Sequence, residues 1–134
     1  MSETPAIRGV VLSHGELAAG IVDAVRQITG MGEDVLVPVS NRGKSPETLQ
    51  AAVAELVGEG PAIVFTDLQS GSCGIVARRL SQQAARVVVV SGMNLPVLLE
   101  FVMNRHLPLD ALVPRLLQKG RAAICCAPNT LEPA

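Results

Sequence analysis

The chain has 134 residues, of which 11 are basic and 12 acidic, so its formal net charge is −1. This length suits one domain. The even balance of charge excludes a broad basic surface for binding nucleic acid. No apolar run approaches the roughly 18 residues that are needed to span a bilayer. Hydrophobic residues make up 49% of the chain but aromatic residues only 1%, and a core of Val, Leu, Ile and Ala is typical of parallel strands covered by helices.

Four short apolar runs alternate with helical patterns, which predicts a series of βαβ units. The runs cover residues 7–12, 35–39, 62–65 and 86–90, and the first three are followed by predicted helices over residues 16–29, 46–57 and 73–83. The stripe expected to face the sheet on the first helix is Leu17, Ile21, Val25 and Ile28. In the second helix, Ser45 is the predicted N-cap and Pro46 the first helical residue.

The remainder of the chain predicts two more helices and a final strand. The helices cover residues 95–104 and 109–119, and Pro114 either kinks the second of them or marks its true start. Arg121–Cys126 is a short strand-like run. We therefore expect one α/β domain over residues 1–126, a three-layer α/β/α architecture with a four-stranded parallel sheet, followed by a flexible tail over residues 127–134.

A histidine and an aspartate each follow a predicted strand, at the sheet edge where ligands collect in open α/β folds. His14 comes two residues after the first predicted strand, and Asp67 follows Thr66 at the end of the third. If the switch point lies between these strands, the two side chains face each other across a crevice. A carboxylate that accepts one ring N–H fixes the tautomer and leaves the other nitrogen as a nucleophile. Taken singly, each residue also suits an ordinary turn or helix cap.

The turn Ser70-Gly71-Ser72 opens the third helix and resembles a phosphate seat. Backbone N–H groups, hydroxyls and the positive end of the helix dipole all favour an anion there, although the same residues suit a plain turn and cap. Neither G-x-x-x-x-G-K-[ST] nor G-x-G-x-x-G is present, so a phosphate would arrive on a partner rather than on a nucleotide. We expect no cofactor.

Other reactive side chains have simpler interpretations. The chain has three cysteines, Cys73, Cys125 and Cys126, a number and spacing that fit neither a disulfide framework nor a zinc knuckle. We expect reduced thiols, no metal site and a cytoplasmic protein, since Met1–Pro5 is polar rather than signal-like. Arg42, Lys44 and His106 are expected to be solvated loop residues, although Arg42 and Lys44 would also add positive potential near His14.

Three blocks of sequence together resemble one family, the mannose-family IIA domain of the bacterial phosphoenolpyruvate-dependent sugar phosphotransferase system. The resemblance covers residues 7 to about 124. The blocks are Ser13-His14-Gly15-Glu16, Asp67-Leu68-Gln69-Ser70-Gly71-Ser72 and Gly92-Met93-Asn94-Leu95-Pro96-Val97-Leu98-Leu99-Glu100. They stand in the family's order, which makes a chance match improbable.

The resemblance implies a phosphocarrier. His14 would take a phosphoryl group from the phosphohistidine of HPr and pass it to a IIB component, while Asp67 orients the ring. Gly71 and Ser72, with Ser70, would receive the phosphate. The resemblance also implies a homodimer in which a last antiparallel strand is exchanged between subunits, and residues 121–126 are the candidate.

The chain departs from the family pattern beside the site. An apolar or aromatic residue is usual where Gln69 stands, Gly where Ser70 stands, and often Pro where Cys73 stands. One alternative is therefore a regulatory phosphorylation sensor without a role in transport. A hydrolytic triad of His14, Asp67 and Ser72 is a weaker alternative, because the nucleophile-elbow pattern G-x-S-x-G is missing.

Overall fold

The computed structural model describes residues 6–133. The polar residues 1–5 and Ala134, the last residue of the predicted tail, lie outside the described residues. The elements in chain order are β1 (Arg8–Ser13), α1 (Leu17–Thr29), β2 (Leu36–Ser40), α2 (Pro46–Val57), β3 (Ala62–Thr66), α3 (Gly71–Gln83), β4 (Val87–Ser91), α4 (Leu95–Asn104) and α5 (Leu109–Ala122). The predicted alternation of strands and helices is confirmed. Within residues 6–133, no helix is long and apolar enough to cross a bilayer.

The four strands form one parallel sheet in the order β2-β1-β3-β4. From β1 the chain moves outward to β2, then crosses back past β1 to β3 and on to β4, so the switch point lies between β1 and β3. Leu12 pairs with Thr66 in the register of these two strands. His14 and Asp67 therefore leave the sheet side by side, as the sequence predicts.

Helices cover both faces of the sheet, which confirms the three-layer architecture. Side chains of the strands alternate between the faces, so Val11 and Phe65 point to one core and Val10 and Val64 to the other. The first core is completed by α1, α4 and α5, and it includes an edge-to-face contact of Phe65 with Phe101 at 5.2 Å between ring centroids. The second is completed by α2 and α3.

The buried face of α1 is shifted relative to the predicted apolar stripe. The buried residues are Ala18, Val22 and Val25, so the predicted Val25 is confirmed, whereas the predicted Leu17 and Ile28 are exposed. The small residue Ala18 is buried in place of Leu17, which hydrophobicity alone does not indicate.

The predicted strand over Arg121–Cys126 does not form within the described chain. Helix α5 continues through Ala122, and residues 124–126 have no regular structure. Buried Leu112, Leu116 and Gly120 repeat every four residues, which carries the helical pattern past the predicted end. Pro114 lies inside α5, so the helix starts upstream of it. A short 3-10 helix, Asn129–Leu131, occupies the predicted tail.

The two outer strands of the sheet differ in their free edges. Backbone bonds from Gly9 to Val35 and from Asn41 to Ser13 show that odd-numbered residues of β2 face β1. Pro38 therefore points outward, where it removes an N–H from the free edge of β2. The other edge strand, β4, has the sequence VVVVS and no proline. Of the two edge strands, β2 is therefore the one that proline protects against pairing with another chain.

Gly74 sets the distance between α3 and the turn that precedes it. A Cβ at this position would overlap the carbonyl oxygen of Gln69, a backbone atom that cannot swing away. We expect Gly74→Ala to lower the free energy of unfolding by about 1–3 kcal/mol, as measured by urea denaturation. The matched control is Gly20→Ala in α1, where a Cβ meets nothing within 4 Å and a gain of up to about 1 kcal/mol is expected. Equal effects of the two changes would contradict this account.

Candidate functional site

His14 and Asp67 are joined by two hydrogen bonds at the switch point. The His14 ring nitrogen Nδ1 lies 2.8 Å from Asp67 Oδ2, and the His14 backbone N–H donates to the same oxygen at 3.0 Å. The other carboxylate oxygen, Oδ1, accepts from the Leu68 backbone N–H at 3.0 Å. The carboxylate is therefore held in place from both strands, and the ring is held by the carboxylate.

Asp67 is ionised in this environment. Burial raises the pKa of its carboxyl, but the backbone and side-chain hydrogen bonds from His14 outweigh this effect, and the pKa lies below its ordinary value of 3.8. An ionised carboxylate only accepts hydrogen bonds, so the proton between the two groups is on Nδ1. The tautomer leaves Nε2 with a free lone pair. The His14 side chain is 42% exposed and that of Asp67 only 11%, so the nucleophilic end faces solvent.

The N-terminus of α3 lies beside Nε2. A Cβ placed on Gly71 would lie 3.5 Å from both Cε1 and Nε2 of His14, so the ring rests close to the first residue of the helix. Gly71 has φ +83°, a conformation that favours glycine. Within the described chain, the Ser70 N-cap makes no side-chain capping bond. The first backbone N–H groups of α3 therefore remain available to an anion next to Nε2.

Asn41 connects the site to β2, and sequence reasoning missed it. Its Oδ1 accepts from the Gly15 backbone N–H at 3.3 Å, and its Nδ2 donates to Ser72 Oγ at 3.4 Å. The side chain thus bridges the turn after His14 to the first turn of α3. Its position directly after β2, at the same sheet edge as His14, was the available signal. It stands beside Arg42 and Lys44 in a loop that looked merely solvated.

Removing the Asn41 side chain should loosen the turn that carries His14. We expect Asn41→Ala to destabilise the fold by about 1 kcal/mol and to speed amide hydrogen exchange at Gly15, which loses its acceptor. Asn41→Asp is the matched control, because it keeps an acceptor for Gly15 and removes only the donor to Ser72. Unchanged exchange at Gly15 in the alanine variant would show that Asn41 does not hold this turn.

The three residues that the sequence predicts to be solvated, Arg42, Lys44 and His106, make no hydrogen bond to His14 or Asp67 among the described residues. Arg42 is exposed and makes a 3.8 Å ion pair with Glu16, while Lys44 donates to the Ser40 carbonyl. His106 is exposed one residue beyond Arg105, whose carbonyl accepts from Ile7 at the opposite end of β1. It is not part of the site.

Ser72 does not complete a hydrolytic triad in this geometry. Its Oγ accepts from Asn41, and no hydrogen bond joins it to His14 among the residues that the structure describes. Cys73, the next residue of α3, is fully buried beneath the site, whereas Cys125 and Cys126 are exposed. Within the described residues, none of the three forms a disulfide.

Together, the fold and the site define a parallel α/β domain that presents a carboxylate-oriented histidine beside a free helix N-terminus. The family model EIIA-man, described as the PTS system fructose IIA component, matches residues 9–115. The sorbose-specific EIIA component of Klebsiella pneumoniae is 30% identical, and the alignment covers 94% of this chain and 97% of that protein.

Solved structures show the same fold. The phosphotransferase system component EIIA from Streptococcus agalactiae superposes with a TM-score of 0.83 at 27% identity, covering 90% of this chain and 96% of the other. The mannose/sorbose-specific IIA subunit from Enterococcus faecalis gives 0.79 at 23% identity, over 91% and 95% of the two chains. The chain therefore belongs to the mannose-type IIA family of the sugar phosphotransferase system, as its sequence predicts. Its class of activity is phosphoryl transfer within that system.

Proposed function

We propose that this protein is a phosphocarrier that accepts a phosphoryl group on Nε2 of His14 from phospho-HPr and passes it to a IIB component for sugar uptake. One observation carries this proposal. Asp67 holds the Nδ1 side of the ring at 2.8 Å, and the free Nε2 lies against the N-terminus of α3. The nucleophilic nitrogen Nε2 is thus oriented by Asp67 and lies beside the helix N-terminus that can bind an anion.

The chemistry needs no net proton transfer. The Nε2 lone pair attacks phosphorus as the P–N bond to the donor imidazole breaks, and the electron pair of that bond returns to the donor nitrogen. The His14 ring keeps its Nδ1 proton and becomes cationic, so the negative charge of Asp67 stabilises the phosphorylated state. The same steps in reverse deliver the phosphoryl group to the acceptor. Asp67 is thus a positioning and charge-stabilising residue.

The helix N-terminus would hold the phosphoryl oxygens. Backbone N–H groups of Gly71, Ser72 and Cys73 are not engaged in intrahelical bonds at the start of α3, and the helix dipole adds positive potential there. The hydroxyls of Ser70 and Ser72 lie in the same turn. In this proposal neither a cofactor nor a metal is needed, because positioning and fixed dipoles stabilise the transferring group.

Exposed apolar side chains next to the pair favour a protein as the phosphoryl donor. Leu17, Leu68 and Ile75 are all exposed. The Leu17 N–H bonds to the His14 carbonyl, and the Leu68 N–H bonds to Asp67, so two of these residues belong to the site by direct contact. Exposed apolar side chains on residues beside a nucleophile suit the docking of a protein that carries phosphohistidine. We extend the proposal to a cytoplasmic homodimer that exchanges the segment beyond α5, which includes residues 124–126.

The proposal is tested by incubating the chain with phosphoenolpyruvate, enzyme I and HPr. The expected product is a chain heavier by one phosphoryl group, stable in base, labile in acid and mapped to the peptide that contains His14. A subsequent chase with the sorbose- or mannose-type IIB component should transfer the label. Absence of label, with HPr shown to phosphorylate another IIA domain in parallel, would overturn the proposal.

The regulatory alternative makes a different prediction for the chase. It rests on the departures at Gln69 and Ser70, and it keeps phosphorylation of His14 but removes transfer to a IIB component. The sorbose-specific relative favours the transport role. Label that remains on this chain in the presence of an active IIB component would favour the sensor.

A further inference from the structure

Three different metal-ligand groups meet at the switch point. A ring nitrogen of His14, a carboxylate oxygen of Asp67 and Sγ of Cys73 all lie within 4.8 Å of one another. Among the residues that the structure describes, this is the one group of three such side chains. They come from the ends of β1 and β3 and from the first turn of α3, so the sheet register brings them together.

The phosphoryl transfer proposed above uses the backbone N–H of Cys73 but not its thiol. Its side chain is fully buried in the core that α2 and α3 cover. Burial, together with the nearby charge of Asp67, raises the pKa of the Cys73 thiol. The thiol is therefore neutral in the metal-free protein, and a cation would have to displace its proton.

The ligand chemistry selects the kind of cation. Imidazole nitrogen, thiolate sulfur and carboxylate oxygen are the three ligand types of protein zinc sites, at about 2.0–2.3 Å from the metal. A single carboxylate is too few oxygen ligands for Ca²⁺ or Mg²⁺. One thiolate and one carboxylate also balance the charge of a divalent ion. The exposure of the side chains decreases from His14 through Asp67 to Cys73, so a cation would enter past the His14 ring.

We propose that His14, Asp67 and Cys73 together bind a thiophilic divalent cation of the Zn²⁺ type, with a fourth coordination position open to water. Binding releases the Cys73 proton. If Nε2 is the nitrogen ligand, the phosphoryl acceptor is occupied. If Nδ1 is the ligand, the ring proton moves to Nε2, which then has no lone pair to attack phosphorus, and Asp67 no longer orients the ring. In either arrangement, cation binding and phosphorylation of His14 exclude each other, a consequence that rests on the proposed function.

The binding test uses Co²⁺ as a spectroscopic probe and needs no phosphoryl donor. Exposed Cys125 and Cys126 would also bind soft metals, so the parent protein carries Cys125→Ser and Cys126→Ser. We expect one equivalent of Co²⁺ to give a thiolate-to-cobalt charge-transfer band and four-coordinate d–d bands, both displaced by Zn²⁺. Cys73→Ser should abolish the charge-transfer band, and His14→Gln should weaken binding by about tenfold or more.

Two outcomes would overturn the proposal: no charge-transfer band in the parent, or the same band in the Cys73→Ser variant. His14→Gln changes a half-exposed side chain and provides the second test if Cys73→Ser fails to fold. The mutual exclusion of cation binding and His14 phosphorylation is then measured as the ratio of the phosphorylation rate with Zn²⁺ to the rate without it. The ratio should be low in the parent and near unity in Cys73→Ser, and equal ratios would refute the exclusion. Since Co²⁺ binding is read without HPr, failure of the metal site is distinguishable from failure of the phosphocarrier.

Discussion

Replacing His14 by Gln should abolish the acid-labile phosphate that we expect phosphoenolpyruvate, enzyme I and HPr to place on this chain. The label should fall from about one phosphate per chain to none, because Gln offers no nitrogen lone pair that can attack phosphorus. The fold should persist, since the side chain is 42% exposed and contributes little to the core. Intact-mass measurement after incubation with the donor system reads the result, and circular dichroism verifies the fold.

The chain supplies its own matched control. His106 is the second of two histidines, is exposed, and lies near Arg105 at the opposite end of the sheet. His106→Gln should be phosphorylated as fully as the unmodified chain. A labelled His14→Gln protein, or an unlabelled His106→Gln protein, would place the phosphoryl acceptor elsewhere.

Replacing Asp67 by Asn should slow phosphoryl acceptance by roughly 10²- to 10⁴-fold while leaving the fold intact. The amide keeps the shape of the carboxylate, but it has no charge to stabilise the cationic ring and no longer requires the proton to be on Nδ1. Rapid-quench measurement of the initial rate with phospho-HPr in excess tests this. Asp23→Asn, at an exposed position of α1, is the control and should leave the rate unchanged.

The pH dependence of the Asp67 effect follows from the direction of its pKa. That pKa lies below 3.8, so the carboxylate is ionised from neutral pH down through the mildly acidic range. The contribution of the Asp67 charge to the rate should therefore be present over this range and be lost as the pH falls through the lowered pKa. Equal rates of the unmodified chain and Asp67→Asn at neutral pH would mean that the carboxylate is not the group responsible.

The sequence predicts the main pair because each member stands next to a strong local signal. His14 and Asp67 follow continuous apolar runs that read as buried strands, and the carboxyl ends of parallel strands meet at one edge. The strand order that joins the two residues is a long-range property. It rests on the crossover rules and on the resemblance, and the pairing of Leu12 with Thr66 confirms it.

What sequence reasoning missed depends on distances between segments. Asn41 and Ser72 are 31 residues apart, and nothing local marks either as the partner of the other. Cys73 likewise reads as a packing residue until the register places it within reach of His14. The predicted start of the final strand at Arg121 is wrong for a related reason. A strand is completed by a neighbouring strand in a ladder, whereas the helical repeat of Leu112, Leu116 and Gly120 is completed within α5.

The unequal edges of the sheet limit how large an assembly of this domain can grow. An extended segment from another chain can hydrogen-bond along β4, but Pro38 denies it a continuous ladder along β2. Each copy therefore has one sheet edge, that of β4, along which another chain can pair. Once that edge is paired, no second chain can be added along β2. The fold thus permits a closed pair of chains and suppresses the open-ended stacking of sheets that leads to fibrils.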